Sequence, residues 1–325
     1  MNLNNYFIVI NPSINILKNN NFLINFIKII FFNIILFFPF ILIGKNMYLN
    51  QLLKIRDYGR KKENVIKNID KKLKKNSVKN AYIKKEFKML FKNPLFFIQC
   101  IYPVIMFTVT SIVIMIILIP KVKYAFSLEE YKYQLGTLRF DIEAVCIIIG
   151  VLQIIGFFNW TSVTAVSRDG KNAYILKYLP IDLYKQFIFK SIPQILVNTI
   201  ISIFVLLILH YEISEISSGY VFLIFVISFL LNCINSFILV LMDIRNPKIN
   251  WDSQYELLKN NNNKMLQYVL LILNILFLNY IKKVLRGVEL NIAILIFIIV
   301  LVIIIILLNF IVYKFKNEIF KKINW

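Results

Sequence analysis

Seven runs of apolar residues dominate this chain, at 22–43, 97–119, 145–166, 192–209, 220–242, 265–281 and 291–313. A helix needs about 20 such residues to cross a hydrocarbon core of ~30 Å, where no water is present to satisfy backbone N–H and C=O groups. The fold class this predicts is an all-α integral membrane protein of about seven transmembrane helices. The run at 265–281 is the weakest, being short and interrupted by Asn274 and Asn279. Of the 325 residues, 59% are hydrophobic, more than a soluble domain can bury, so lipid must serve as solvent. That decides how the charge is read. Lys and Arg number 38 against 17 acids, a net +21 that in a soluble chain would suggest nucleic acid. Here it points to an anionic membrane surface, with no nucleic acid partner.

Cys100, Cys146 and Cys233 all fall in apolar runs without CxxC spacing, which suggests neither a disulfide framework nor a zinc site. The run at 22–43 is longer than a signal-peptide core and no small-x-small site follows it, so it reads as an uncleaved span.

Orientation follows from the basic residues. Residues 44–96 carry 16 Lys and Arg against four acids, and 167–191, 241–264 and 314–325 carry five, four and four. These heavy segments alternate with lighter ones, which predicts a cytoplasmic 44–96 segment, a cytoplasmic C-terminus and first residues outside. Three regions result: 1–43 with one span, 44–96 as a basic linker ending in an amphipathic helix, and 97–325 as a six-span block.

Within the linker, the part through Lys79 has too many like charges for a core of its own. From Tyr82 the pattern changes. Ile83, Phe87, Leu90 and Phe91 fall at helical spacing while Lys84, Lys85, Lys88 and Lys92 line the other face, as in an interfacial amphipathic helix. Asn93-Pro94 breaks it before the next span. The alternative is a solvated charge run held near anionic lipids, each Lys contributing about 1 kcal/mol.

Enzyme chemistry finds little support. There is no GxxxxGK[ST] phosphate loop, and the lone His210 excludes HExxH and multi-histidine metal sites. No catalytic, cofactor-binding or metal-ligating residue is assigned. Lys28 is placed to snorkel, and Asp141 and Glu143 suit a helix N-terminus. The absence of a mid-span Asp or Glu argues against proton- or sodium-driven transport.

Two loops carry more information. In 167–186, SRDGKNAYILKYLPIDLYKQ, Asp169 is expected to cap a short helix from Gly170, Pro180 to end it and Asp182 to cap the next span. Tyr174, Leu176 and Tyr178 between Lys171 and Lys177 then make an aromatic and basic surface, suited to a groove on another protein or to the lipid interface. The second loop, DIRNPKINWD, offers Asp243, Arg245, a turn at Pro247 and Trp251, a polar connection able to tie the loop to neighbouring helices; Trp251 also suits an interface anchor.

Three blocks, YIKKEFKMLFKNPLFFIQCIYP at 82–103, SRDGKNAYILKYLP at 167–180 and DIRNPKINWD at 243–252, give the chain a resemblance to a known family. It resembles the permease subunits of type-2 ATP-binding-cassette exporters, in particular the C-terminal half of a poorly characterised bacterial subfamily. The resemblance spans roughly 82–325 and implies a transmembrane subunit, not itself an enzyme, in a bacterial cytoplasmic membrane. ATP hydrolysis on a separate nucleotide-binding subunit would drive export. It implies that 170–179 is a coupling helix, with Tyr174, Leu176, Lys177 and Tyr178 touching the ATPase and Arg168 and Asp169 orienting it. Related chains carry a further membrane half ahead of this one, so a second permease half or a homodimer is implied. Two rivals remain: a non-transporting scaffold holding anionic lipid or a cytoplasmic partner through 45–92, and an intramembrane enzyme, for which the spans lack paired carboxylates.

Overall fold

The computed structural model describes residues 78–127, 141–213, 216–251, 253–259 and 261–321. The expected span at 22–43 and the linker up to residue 77 lie outside the described residues. Among those described there are only helices and connecting turns. Helix α1 is Val78–Lys92. The Asn93 side chain accepts from Leu95 N at 3.2 Å and Pro94 occupies the first turn, so a new helix starts where proline lacks the N–H that the old one needs. This is α2, built from Pro94–Phe96, a π-helical turn Phe97–Ile101 and Tyr102–Ser127. Then follow α3 (Ile142–Phe157), a 3₁₀ segment Ser167–Tyr174 running into the single turn α4 (Ile175–Tyr178), α5 (Leu183–Glu212) and α6 (Ser218–Arg245). The chain ends with α7 (Gln254–Lys259), α8 (Asn262–Val284) and α9 (Leu290–Lys321).

Five of these, α2, α5, α6, α8 and α9, are long and apolar enough to cross a membrane, and the chain is a multi-pass all-α membrane protein. The expected span at 145–166 needs correction. Helix α3 stops at Phe157, and at ~1.5 Å per residue its 16 residues reach ~24 Å, short of a ~30 Å core. The helix is interrupted because Asn159 offers its backbone an alternative: its Oδ1 accepts from both Thr161 N and Thr161 Oγ1, at 3.2 and 2.7 Å. The chain then continues without regular structure to Val166, and Thr161 through Val166 are all buried.

The apolar interior is shared by α3, α5, α6, α8 and α9, with Ile149, Val205, Ile224, Ile227, Phe297 and Leu301 wholly enclosed. Outside, Phe204 and Leu207 on α5 and Ile306, Leu307 and Phe310 on α9 face away from the protein, as lipid contact requires. Because lipid tails are as apolar as leucine, helix association here rests on close packing and polar contacts. The polar contacts are therefore the informative ones. At one end of the bundle Lys282 of α8 meets Glu143 of α3 at 3.1 Å. The starts of α5 and α8 and the end of α6 gather at the other, where α1 also packs.

Candidate functional site

Helix α1 turns toward the body a stripe that hydropathy alone does not mark. Tyr82, Glu86 and Leu90, four residues apart, are the buried ones, whereas Ile83 and Phe87 are half-buried and Phe91 is exposed, its ring 6.1 Å from that of Phe87. Of the expected interfacial face of Ile83, Phe87, Leu90 and Phe91, Leu90 enters the core, Ile83 and Phe87 are half-buried and Phe91 stays open. Lys84, Lys85 and Lys88 do lie on the exposed side, with Lys92 at its end.

Glu86 is drawn inward by charge. Lys190, about two turns into α5, donates from Nζ to Glu86 Oε1 at 3.0 Å, to Asp169 Oδ2 at 2.7 Å and to the Ala165 carbonyl at 2.8 Å. All three ammonium hydrogens therefore have acceptors. The Arg168 guanidinium donates to the Thr161 carbonyl and, at 2.8 Å, to Thr164 Oγ1, and lies 3.6 Å from Glu86 Oε2. Lys85 closes the cluster from the rim, 3.0 Å from Asp169 Oδ1. Two buried cations thus face two buried or nearly buried carboxylates, the condition under which charge is tolerated away from water. Burial alone would raise the Asp169 carboxyl; the Lys190 and Lys85 ammoniums beside it hold it below the usual carboxylate range. Burial pushes the Tyr82 phenol well above the usual tyrosine range, against the opposing pull of Lys190.

Asp169 therefore does not cap a helix at Gly170, as its sequence position suggests; its carboxylate is committed to two lysines. The turn begins instead at Ser167, and Gly170 sits inside it with φ 56 and ψ −138, a conformation that side-chain-bearing residues avoid. The indole of Trp251 explains the choice further: a Cβ on Gly170 would lie 2.9 Å from its Cζ2. Asp182 does cap α5, accepting from Tyr184 N at 2.8 Å, and the hydrogen bond from Lys316 holds its carboxyl below the usual range.

A second lock joins the two loops. Asp243, wholly buried at the end of α6, accepts from Val166 N at 2.6 Å, Ser167 N at 2.9 Å, Ser167 Oγ and Asn263 Nδ2 at 2.9 Å. Ser167 in turn accepts Lys248 N on its hydroxyl and Trp251 Nε1 on its carbonyl, both at 2.9 Å. Pro247 lies half-buried in the connecting stretch, while Arg245 is exposed and takes no part in the lock.

What these locks hold out is the surface of 171–178. Tyr178 is 80% exposed, with Tyr174, Ile175, Lys171 and Lys177 beside it and the two tyrosine rings 6.3 Å apart, edge to face. Leu176, expected on that surface, is only 2% exposed and belongs to the core under the turn with Ala173 and Phe187. Arg168 is likewise buried, so it acts from beneath the surface and not on it.

The three sequence blocks thus converge on one site, and Glu86 and Lys190 join it although neither was singled out. A signal for Glu86 was present: it is the only acid among Lys84, Lys85 and Lys88, and it shares a helical face with Tyr82 and Leu90. The fold and this site define a multi-pass membrane protein with a charge-locked, outward-facing turn at one end of its bundle. Comparison with protein families, characterised proteins and solved structures finds no match to the chain.

Proposed function

We propose that the chain is the transmembrane subunit of an ATP-binding-cassette exporter, in which a separate ATPase docks on the turn at 171–178. One observation carries this reading: an exposed aromatic and basic surface is strapped to α1 and α5 through ion pairs and to α6 through the hydrogen bonds of Asp243. In this reading a force applied at Tyr178 passes along the turn to Asp169 and Ser167, and from them to Lys190 of α5 and Asp243 of α6. Charge locks of this kind suit a part that must move as a unit. In this reading the turn faces the cytoplasm, in line with the basic loops, and ATP binding and hydrolysis stay on the partner. A second permease half or a second copy completes the transporter.

The test is affinity purification of the tagged full-length protein from its native membrane in mild detergent. A P-loop ATPase should accompany the native chain and be lost with Tyr178→Ala, while membrane insertion stays unchanged. An intact protein that brings no ATPase overturns the reading. A second reading, a scaffold for anionic lipid, is favoured by the open groove on α1 lined by Lys85, Lys88 and Lys92; it expects retention on anionic vesicles and no ATPase.

A further inference from the structure

On the open side of α1, lysines recur along one face. Lys85, Lys88, Met89 and Lys92 follow at three- and four-residue intervals, which stacks them along about 10 Å of helix, and with Asn93 they line a groove of about 330 Å³. That volume is at the lower end of the ~300–1,000 Å³ of small-molecule sites. Among the described residues no acid lines the groove, so its three ammonium groups repel one another and favour an anion between them.

The groove ends where the chain enters the membrane. Asn93 both lines it and caps α2, and Leu95 and Ile98, in the first turns of that helix, are each 41% exposed on a segment long and apolar enough to cross a membrane. Cationic side chains at headgroup level with an apolar surface directly beyond them suit a phosphate that carries acyl chains better than one free in solution.

Lys85 also belongs to the charged cluster, and there it is the surplus member. Arg168 and Lys190 already balance Glu86 and Asp169, and Asp169 has Lys190 at 2.7 Å besides Lys85 at 3.0 Å. The Lys85 side chain is 48% exposed, whereas the other four are at most 7% exposed. It is free to turn from Asp169 to an anion in the groove without leaving a buried carboxylate unpaired.

We propose that the groove binds the phosphate of an anionic phospholipid, and that Lys85 is shared between that phosphate and Asp169, so that lipid binding and the lock on the turn are coupled. The proposal uses the groove of the second reading above without its scaffold role, and it holds whether or not an ATPase docks on the turn. By reciprocity, releasing Lys85 from Asp169 tightens the lipid by the same factor as the lipid loosens that contact.

The test is native mass spectrometry of the delipidated full-length protein in detergent, titrated with phosphatidylglycerol, phosphatidylcholine and inorganic phosphate. Phosphatidylglycerol is expected to bind several-fold more tightly than phosphatidylcholine and to resist displacement by inorganic phosphate. Lys85→Gln, Lys88→Gln and Lys92→Gln should each weaken it about fivefold. Lys84→Gln, on the same helix but outside the groove, should change it little. Asp169→Asn should tighten it several-fold, and should have no effect once Lys85 is also replaced by Gln. Equal affinity for the two lipids, or an equal loss with Lys84→Gln, would overturn the site, and displacement by inorganic phosphate would overturn the lipid as its occupant. An affinity unmoved by Lys85→Gln would overturn the sharing, a result that stands even if Asp169→Asn does not fold; so would an effect of Asp169→Asn that persists without Lys85.

Discussion

The Lys190 ammonium and the Glu86 carboxylate meet at 3.0 Å across 104 positions of sequence, both side chains fully enclosed. The contact ties α1, which precedes the first described span, to α5, the second membrane-crossing helix of the described bundle.

Breaking this pair from one side leaves an uncompensated charge. Glu86→Gln or Lys190→Met alone is expected to lower stability by about 3–5 kcal/mol, whereas Glu86→Gln combined with Lys190→Met costs less than the sum of the two. Thermal unfolding of the detergent-solubilised variants checks this; strict additivity would mean that the two groups do not interact.

Asp169 gives the cluster a dependence on pH. Its folded carboxyl ionises below the unfolded value of about 3.9, so its contribution is complete above that value and fades as the pH falls through the lower, folded one. The stability difference between the native chain and Asp169→Asn should therefore stay level from about pH 7 to 5 and shrink only below about 4. Unfolding midpoints measured across that range check it, and a difference that vanishes near neutrality would contradict the ion pairing.

Two glycines separate backbone strain from collision. Gly170 has φ 56 and Trp251 against it, while Gly287 has φ 83 and nothing within 4 Å of a new Cβ. Alanine at Gly287 meets strain alone, costing about 1 kcal/mol, and alanine at Gly170 should cost a further ~1–2 kcal/mol because the indole must shift. Equal losses at the two positions would show that Trp251 yields freely.

Hydropathy made the long helices legible, because a membrane leaves a chain few ways to satisfy its backbone. It failed at 145–166, where length and apolar content suggest one span while Asn159 turns its side chain onto the backbone of Thr161 and ends the helix early. The loop motifs around Ser167 and Asp243 were visible as separate polar segments. That they lock together depends on partners 76 and 77 positions apart, which no local pattern encodes. Glu86 and Lys190 escaped notice for a related reason: each sits among lysines or phenylalanines that suggest a surface or a span, and only the fold brings opposite charges face to face.

Asp243 is an exacting acceptor, since Val166 N, Ser167 N, Ser167 Oγ and Asn263 Nδ2 all point at it. Asp243→Asn keeps the shape but turns one acceptor oxygen into an NH₂ facing donors. At about 1.5–3 kcal/mol for each hydrogen bond to a charged group, losing one or two should loosen the anchorage of the turn while the apolar bundle persists. Limited proteolysis should then cut the native chain slowly and the variant much faster near Lys171 and Lys177, with little change in the global unfolding midpoint. If cleavage at the turn and global unfolding instead shift together, Asp243 supports the bundle as a whole, and the turn is not separately held.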